Sequence, residues 1–348
     1  FIGATEANLD AVGDKLKARG HAIDAGLPVV PGGNATTAAE AAAIGTEIGY
    51  PLLIKAVGGG GGRGMQQVHH EVDLQSTKDR AIAEATAAFG DPRIYVERYV
   101  ASGRHVEVQI LGDGVDAIHI GDRDCSVQRR YQKLVEEAPA PMLSEELRAS
   151  MHASAVAFAK HLGYTGLGTV EFLVDVTRGE YYFLEMNARI QVEHPVTEEI
   201  SGLDLVAEQI SIAEGLPLRL MQEAITFRGH AIECRINAED WRNAFQPSPG
   251  TVTEVTWPAG PGIRVDTHMQ AGATVPPFYD SMIAKLIVHG TDRDDAIAKM
   301  ASALSRCHIE GITTNVAMHE ALMADASFIA GGIDTNFLGE FLEGAHHG

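Results

Sequence analysis

Two adjacent strands that carry facing carboxylates constrain this chain of 348 residues more than any other feature. The segments TVEFLVDV and YYFLEMNA have the β-branched and aromatic composition of strands, and residues 177–180 between them predict a hairpin turn. With the turn centred near Arg178, antiparallel pairing places Glu171 almost opposite Glu185. Facing carboxylates repel unless a cation lies between them, and such oxygen ligands suit Mg²⁺ bound together with nucleotide phosphates. The alternative is that one glutamate is merely solvated at a sheet edge.

The stretch after the second strand alternates polar and apolar residues from 185 to 193. If this stretch is extended, its odd positions point to one side, and Pro195 favours an extended His194 that would prolong the geometry. That side would carry Glu185, Asn187, Arg189, Gln191 and Glu193. A half-buried amphipathic strand explains the alternation but not this choice of groups. We predict that the row holds a metal ion, a small oxyanion and a base, in the order in which a phosphoryl acceptor would lie beside a nucleotide.

A run of glycines at residues 58–62 directly follows the apolar segment PLLIKAV. Glycine loses the most backbone entropy on ordering, so this run is neither helix nor strand, and a flexible surface loop is one interpretation. A glycine loop also lets backbone N–H groups approach an oxyanion such as phosphate, although this one lacks the Gly-Lys-Ser/Thr ending of a Walker A loop. Lys55 favours the phosphate site, because a lysine inside an apolar strand is costly unless it meets an anion.

Periodicity and turn signals predict a mixed succession of helices and strands, and hence an α+β fold rather than a regular parallel array. Four helices are predicted over residues 34–49, 73–89, 144–162 and 197–214. Asn34, Thr36 or Thr37 would cap the first helix and Ser144 the third. Strands are predicted over residues 51–57, 93–100, 105–111 and 117–121, besides the hairpin. Beyond Pro217 we expect strands joined by Pro/Gly turns, and two helical stretches after Asp292.

Composition excludes several classes of function. Asp and Glu number 47 against 27 Lys and Arg, a net charge of −20, which argues against a nucleic-acid binder and a polybasic membrane-surface protein. No apolar run approaches the ~18 residues of a membrane span. Cys125, Cys234 and Cys307 are scattered, which fits a reducing compartment and rules out a disulfide scaffold.

Two basic features stand out in this acidic chain. Arg129, Arg130 and Lys133 form a patch that is either an anion cradle or an exposed, salt-bridged face. Arg235 shares a strand face with two polar groups in the segment ECRIN. A lone strand arginine of this kind is more often structural than catalytic.

Four segments together resemble the biotin carboxylase family of ATP-grasp enzymes: KAVGGGGGRGM (55–65), RDCSVQRRYQKLVEEAPAP (123–141), EMNARIQVEHPVTE (185–198) and ECRINAED (233–240). RIQVEHPVTE and ECRINAED carry the specificity, since other ATP-grasp enzymes share the lysines and metal carboxylates but not these strings. The resemblance implies an ATP-grasp fold with a mobile glycine-rich lid, followed by a biotin carboxylase C-terminal domain. Its parts would be the start of the ATP-grasp region (1–27), the lid (28–99), the central catalytic subdomain (100–218) and the C-terminal domain (219–348). A further N-terminal domain would precede Phe1.

The resemblance also implies a role for each matching residue. The ATP ligands would be Lys15, Lys55, Gly61, Gly62, Glu97, Val100, His105, Gln128 and Glu171. Mg²⁺ or Mn²⁺ would be bound by Glu171, Glu185 and Asn187, and bicarbonate by Lys133, Arg189, Gln191, Val192 and Glu193. The catalytic set would be Glu193 as the base, Arg189, Lys133, and Arg235, which would bind biotin and stabilise its enolate. Tyr131 stands where the family usually has histidine, and Arg98 where it has lysine.

The implied activity is the ATP-dependent carboxylation of biotin by bicarbonate through carboxyphosphate, the first half-reaction of a biotin-dependent carboxylase. No Met-Lys-Met biotinylation motif occurs, so we expect biotin to arrive on a separate carrier protein or domain. A carboxyltransferase partner and a homo-oligomer are also expected, in the cytoplasm, or in the mitochondrial matrix if a transit segment precedes Phe1. The alternatives are another ATP-grasp ligase and a non-catalytic or truncated subunit that resembles biotin carboxylase.

Overall fold

The computed structural model describes residues 1–35, 37–57 and 65–345. Helices and antiparallel strands alternate irregularly along these residues, which confirms the predicted α+β class. Gly61 and Gly62, which the resemblance assigns to the ATP site, lie outside the described residues.

The helices of the described residues have the following bounds. They are α1 (Glu6–Gly13), α2 (Lys15–Asp24), α3 (Ala38–Ile48), α4 (Leu74–Phe89), α5 (Glu145–His161), α6 (His194–Ser201), α7 (Leu205–Ala213), α8 (Arg293–Leu304), α9 (Val316–Met323), α10 (Ala326–Ala330) and α11 (Phe337–Ala345). None of them is long and apolar enough to cross a membrane.

The strands have the following bounds. They are β1 (Gly32–Ala35), β2 (Leu52–Ala56), β3 (Met65–Val68), β4 (Ile94–Arg98), β5 (Gly103–Asp113), β6 (Ala117–Arg129), β7 (Gln132–Ala138), β8 (Thr165–Asp175), β9 (Glu180–Asn187), β10 (His230–Asn237), β11 (Glu239–Asp240), β12 (Gln246–Pro247), β13 (Gly250–Thr251), β14 (Glu254–Thr256), β15 (Ile263–Thr267), β16 (Thr274–Val275), β17 (Met282–Gly290) and β18 (His308–Glu310).

Eight strands form one antiparallel sheet in the order β15-β17-β10-β7-β6-β5-β8-β9. The sheet crosses the expected boundary at 218/219, because β10 pairs with β7 from Ala231 opposite Ala138 to Cys234 opposite Val135. On one face α5 packs over a core that includes Phe158, Phe172 and Phe183. On the other face α6 covers Ala231 and Ile287, and the charged residues described below lie on that face. The domain bounds themselves stay a prediction.

A separate four-stranded sheet, in the order β1-β4-β2-β3, carries Lys55. Leu52, Ile54 and Ala56 of β2 are buried, and Lys55, which alternates with them, is only partly buried. Leu52 and Ile54 belong to the core between this sheet and the helices α3 and α4. Period-two alternation therefore turns the Lys55 side chain to the opposite face of the sheet.

Side-chain caps fix the starts of two predicted helices. Thr37 accepts a hydrogen bond from the Glu40 backbone N–H, and the Glu40 side chain bonds back to Thr37, so that α3 begins with a capping box. Asn34, the other predicted cap that the structure describes, lies in β1 instead. Ser144 caps α5 as predicted, by accepting from the Leu147 N–H.

Two predictions about helices were wrong. The single helix over 197–214 is two helices, α6 and α7, because the chain ends α6 at Gly202 in the left-handed conformation (φ 71°). The region after Asp292 contains α8 to α11 rather than two helical stretches. The break at Gly202 follows from glycine's tolerance of positive φ, which also makes it a common residue just past a helix end.

Candidate active site

Four charged residues lie in one row across β6, β5, β8 and β9. The strand register pairs Arg123 with Glu107, Glu107 with Glu171, and Glu171 with Glu185. The predicted opposition of Glu171 and Glu185 is thus confirmed. Directly opposed residues of antiparallel strands share a face of the sheet, and Arg123 reaches Thr197 of α6 on that face.

The Lys133 ammonium lies within hydrogen-bond distance of three carboxylates. It donates to Glu107 Oε2 at 2.6 Å, to Glu171 Oε1 at 3.0 Å and to Glu193 Oε1 at 2.6 Å. Burial disfavours the charged form of Glu107, yet Lys133 and Arg123 lower its pKa to about 2. Burial likewise opposes the charge of Lys133, but Glu107 and the other carboxylates hold the lysine pKa well above its usual value. The buried cluster therefore keeps opposite charges together at neutral pH.

Glu171 accepts more hydrogen bonds than its partner Glu185. Its Oε1 accepts from Asn187 Nδ2 and from Gln191 Nε2, each at 3.0 Å, in addition to Lys133, and His105 Nε2 lies 3.0 Å from Oε2. Burial opposes the ionisation of Glu171, but His105 and Lys133 bring its pKa far below the usual value. The Glu185 carboxylate lines the same cavity and makes no hydrogen bond or ion pair with the residues that the structure describes.

Arg123 is fully buried and donates hydrogen bonds to five side chains beneath the site. Its Nε donates to Glu107 Oε1 at 2.6 Å, and Nη1 donates to Gln109 Oε1 and Thr197 Oγ1. Its Nη2 donates to Thr169 Oγ1 and, at 3.3 Å, to Gln191 Oε1. A guanidinium has five N–H donors, so each donor has a partner here. Arg123 thereby fixes the orientation of both Glu107 and the Gln191 amide.

The backbone after Asn187 is not extended, which corrects the predicted polar strand. Strand β9 ends at Asn187, a bend follows at Arg189, and a turn at Glu193 leads into α6. His194 is the first helical residue, because Pro195 lacks a backbone N–H and fits the first helical turn at no cost in hydrogen bonding. The five predicted side chains nevertheless line one cavity: Glu185, Asn187, Arg189, Gln191 and Glu193.

Glu193 is held between two cations. Its Oε1 accepts from Lys133 at 2.6 Å and its Oε2 from Arg235 Nη2 at 2.9 Å. Arg235 Nε also donates to Glu136 Oε1 at 2.6 Å. Lys285, directly opposite Arg235 in the sheet, donates to the Val192 carbonyl at 3.0 Å and so fixes the turn that presents Glu193.

These groups line a cavity of about 540 Å³. That volume lies within the ~300–1,000 Å³ of small-molecule sites. Its wall includes every residue predicted for bicarbonate or metal, namely Lys133, Glu171, Glu185, Asn187, Arg189, Gln191, Val192 and Glu193, together with Arg235. Tyr131 also lines it, 56% exposed, with φ 66° in the tight turn between β6 and β7.

Three of the predicted ATP ligands line a smaller cavity of about 70 Å³. Lys15, the first residue of α2, lines it together with Lys55 and Glu97, and Lys55 Nζ lies 2.5 Å from Glu97 Oε1. Phe183 and Leu184 of β9 form part of its wall. The next residue, Glu185, lines the larger cavity, so β9 contributes to the walls of both cavities.

The remaining predicted ATP ligands are dispersed. His105 lines the larger cavity, whereas Val100 and Gln128 line neither. Gln128 is buried on β6 opposite Lys133, and Val100 lies between β4 and β5. Arg98, at the family's usual lysine position, donates to the Tyr182 hydroxyl at 3.3 Å. Nucleotide roles for these residues stay predictions.

Sequence reasoning missed Glu107, Arg123, Glu136 and Lys285. The signal for two of them was present, because Glu107 lies between Val106 and Val108, and Lys285 between Ala284 and Leu286. A charge inside an apolar strand needs a partner, as it does for Lys55. The partners of Arg123 depend on strand pairing and could not be read from its neighbours in sequence.

Comparisons with known proteins fit this geometry. The carbamoyl-phosphate synthase L chain, ATP binding domain, matches residues 14–221, and the biotin carboxylase C-terminal domain matches residues 233–340. A biotin carboxylase from Pseudomonas aeruginosa is 48% identical over 342 residues, which are 97% of this chain and 76% of that protein. The chain belongs to the biotin carboxylase family.

Other relatives of this biotin carboxylase family member agree. A pyruvate carboxylase subunit from Methanothermobacter thermautotrophicus is 47% identical, over 99% of this chain and 70% of that protein. The crystal structure of a Campylobacter jejuni biotin carboxylase–β-γ-ATP complex has a TM-score of 0.92 at 47% identity. The biotin carboxylase domain dimer of Hydrogenobacter thermophilus 2-oxoglutarate carboxylase, with MgADP, ADP and bicarbonate, has a TM-score of 0.91 at 45% identity. Each match to a solved structure covers 98% of this chain and 76% of the solved chain.

Proposed function

We propose that this chain catalyses the ATP-dependent carboxylation of biotin by bicarbonate. The observation that carries the proposal is the position of Glu193 between Lys133 and Arg235, in a cleft that also presents Arg189 and Gln191. A small oxyanion meets a guanidinium and an amide there, beside a carboxylate that can accept its proton. The relative with bound MgADP and bicarbonate supports the same substrates.

In the first stage, bicarbonate lies against Arg189 and Gln191 and gives its proton to Glu193. A bicarbonate oxygen attacks the γ-phosphorus of ATP, the bond from that phosphorus to the β–γ bridging oxygen breaks, and carboxyphosphate and ADP form. Such phosphoryl transfers depend on positioning and charge neutralisation. Lys133 supplies a positive charge beside the base, and Lys15 and Lys55 would supply theirs at the phosphates.

In the second stage, carboxyphosphate breaks down to CO₂ and phosphate. The ureido nitrogen of biotin gives its proton to the released phosphate and attacks CO₂, which forms the new C–N bond. Arg235 would stabilise the negative charge that develops on the ureido oxygen, since a fixed cation at that point needs no reorganisation during the reaction. Its Nη1 makes no hydrogen bond within the described residues and is available for this contact.

Mg²⁺ or Mn²⁺ fits the donor set of the cleft. Glu171, Glu185 and Asn187 offer only oxygen ligands, which these ions prefer, and the Glu185 carboxylate has no competing partner among the described residues. A bound ion would neutralise charge on the nucleotide phosphates. Glu185 would hold it from β9, which contributes residues to the walls of both cavities.

The nucleotide would enter between the four-stranded sheet and β9. The smaller cavity, at about 70 Å³, is well below the ~300 Å³ lower limit of typical ligand pockets. We therefore propose that the sheet carrying Lys55 shifts away from Phe183 when ATP binds, which also separates Lys55 from Glu97. Once the nucleotide is bound, contact between it and the sheet carrying Lys55 would exclude water, which could otherwise hydrolyse carboxyphosphate.

Partners of this enzyme follow from its family. A relative named as one subunit of a carboxylase implies that a biotin carboxylase works with other carboxylase components. We propose a biotin carboxyl carrier protein or domain and a carboxyltransferase as those components, and a homo-oligomeric enzyme. We also propose the cytoplasm, because Cys125, Cys234 and Cys307 are all free thiols.

The test is bicarbonate-dependent ATP hydrolysis stimulated by free biotin, with the full-length protein. Glu193→Gln should lower kcat by about 10²–10⁴, the usual contribution of a general base, and Arg235→Ala should abolish the stimulation by biotin. Glu223→Gln and Arg219→Ala, at exposed positions with no partner in the described residues, are the matched controls. Unchanged activity in both site variants would refute the assignment.

A further inference from the structure

Two buried glutamates face each other behind Arg235. The register of β7 and β10 places Glu136 directly opposite Glu233, and both are fully buried. Directly opposed residues on antiparallel strands have side chains on the same face, close together. Two carboxylates in such a place cannot both be ionised without a large electrostatic cost.

Three of the four oxygens of this pair lack a hydrogen-bond partner among the described residues. They are Glu136 Oε2, Glu233 Oε1 and Glu233 Oε2. Buried polar atoms are nearly always hydrogen-bonded, and an unpaired one calls for a physical explanation. A proton on one of the carboxyl groups explains two of these three oxygens, because a carboxyl O–H can donate to the facing carboxylate.

The surrounding charges favour a single negative charge on the pair. The charged and titratable groups that face it are Lys133 of β7, Arg235 of β10, Lys285 of β17, Cys125 of β6 and Glu193 ahead of α6. Helix α6, which packs over these strands, presents Val196 and Ile200 to them. Only Glu136 has a direct ion pair among the described residues, through Oε1 to Arg235.

The pKa values shift in the matching direction. Burial raises the pKa of Glu136 to about 7 and outweighs the opposing charge of Arg235. Burial and the neighbouring Glu136 raise the pKa of Glu233 well above its usual value. Glu233, which has no ion pair with the described residues, is therefore the carboxyl that keeps the proton most readily.

We propose that Glu136 and Glu233 share one proton at neutral pH and that the pair positions Arg235 for the reaction. The inference rests on the proposed function only for what Arg235 does. One shared negative charge holds Arg235 Nε and Nη2 through Glu136 Oε1 and leaves Nη1 free for an anionic substrate group. Without that charge, the guanidinium would be held by Glu193 alone. Glu136 and Glu233 are thus positioning residues that need not touch substrate.

Infrared difference spectroscopy tests the shared proton without reference to activity. At neutral pH the wild-type protein minus Glu233→Gln should show the C=O stretch of a buried protonated carboxyl group. Glu136→Gln should retain that band, because Glu233 remains buried and protonated, and raising the pH of the wild-type protein should remove it. Identical carboxyl spectra for the wild-type protein and Glu233→Gln would overturn the proposal. Absence of biotin carboxylation would instead refute the proposed function and leave this result standing.

Kinetics test the positioning of Arg235. Glu136→Gln removes the countercharge and should lower kcat, per folded enzyme, about 10–100-fold, as loss of a supporting contact usually does, with the KM for ATP little changed. Glu233→Gln keeps a neutral donor and should stay within about threefold of the wild-type kcat, with a shifted alkaline limb of the pH profile. Glu136→Asp, which keeps the charge, should recover part of the lost kcat. A kcat per folded enzyme that is unchanged in Glu136→Gln, with total activity falling only in proportion to lost folded protein, would show a merely structural role.

Discussion

Removing the Lys133 ammonium should destabilise the fold in a way that depends on pH. The change is Lys133→Met, which keeps an unbranched apolar side chain one atom shorter and deletes the charge shared by Glu107, Glu171 and Glu193. The pKa of fully buried Glu107 falls from 4.5 to about 2 in the folded protein. Each pKa unit corresponds to about 1.4 kcal/mol, so the surroundings of Glu107, in which burial opposes Lys133 and Arg123, contribute a net stabilisation of roughly 3 kcal/mol at neutral pH. Breaking a buried ion pair typically costs about 3–5 kcal/mol, which is similar in size to this net stabilisation of Glu107.

The sign of the pH dependence follows from the depressed pKa of Glu107. In the wild-type protein its stabilising effect is fully present above the unfolded value near 4.5 and is lost as the pH falls towards 2. In Lys133→Met the carboxylates lack their cation, and their folded-state pKa values rise. The variant therefore gains protons, and relative stability, as the pH falls. The difference between the two proteins should be about 3–5 kcal/mol at neutral pH, as for other broken buried ion pairs, and should shrink as the pH falls through about 4.5 towards 2.

Urea-induced unfolding, measured for both proteins over a pH series, checks this reasoning. Lys160→Met is the matched control, because Lys160 pairs with Asp116 at an exposed site where both side chains are about half in solvent. Exposed pairs contribute about 0–1 kcal/mol. A difference for Lys133→Met that stays constant with pH would mean that Lys133 acts through packing alone, and the electrostatic account would be wrong.

Two further outcomes are expected. Mg-ATP should raise the melting temperature of the wild-type protein, since a ligand at about 100 times its Kd stabilises by about 2.7 kcal/mol. Glu185→Gln should lose the Mg²⁺-dependent part of this shift, measured by differential scanning fluorimetry with Glu223→Gln as control. An unaltered shift in Glu185→Gln would show that Glu185 is not a metal ligand. Gly229→Ala should destabilise by more than ~2 kcal/mol, because φ is 67° and the added Cβ would lie 2.1 Å from the Gly290 carbonyl oxygen. Gly272→Ala, with φ 87° and open space around it, should cost only about 1–2 kcal/mol in the same urea titration, and equal losses in the two variants would contradict the steric argument.

The hairpin made the approach of the two carboxylates predictable. The register next to the turn, with Phe172 opposite Phe183, would by itself place Glu171 opposite Leu184, and an irregularity between Glu171 and Phe172 brings Glu185 opposite instead. The exact opposition therefore depends on that irregularity, and only the pairing of the two strands could be read from the sequence. The pairing of Glu107 with Glu171 could not, because β5 and β8 are separated by β6, β7 and α5 along the chain. Register between distant strands depends on the whole sheet.

The prediction of extended backbone before Pro195 was wrong, although it followed a valid local rule. The residue before a proline is biased towards extended backbone, which predicts that His194 continues the strand. Proline is equally well suited to the first turn of a helix, and α6 begins at His194. Both rules are local, and what decides between them is the packing of Val196 and Ile200 onto Ala231 and Ile287. The predicted residues nevertheless line one cavity, because the turn at Glu193 brings them together as an extended strand would have done.

The pairing of β7 with β10 bears on how such enzymes can be divided or recombined. Strand β7 of the first matched family region pairs at four positions with β10, within which the second matched region begins. Glu193 accepts one hydrogen bond from each side, from Lys133 and from Arg235. A cut in the connection between α7 and β10 would leave each half with a bare inner strand edge, a template for aggregation. Chimeras between relatives should therefore exchange β7 and β10 as a pair, and we expect the two matched regions to unfold together.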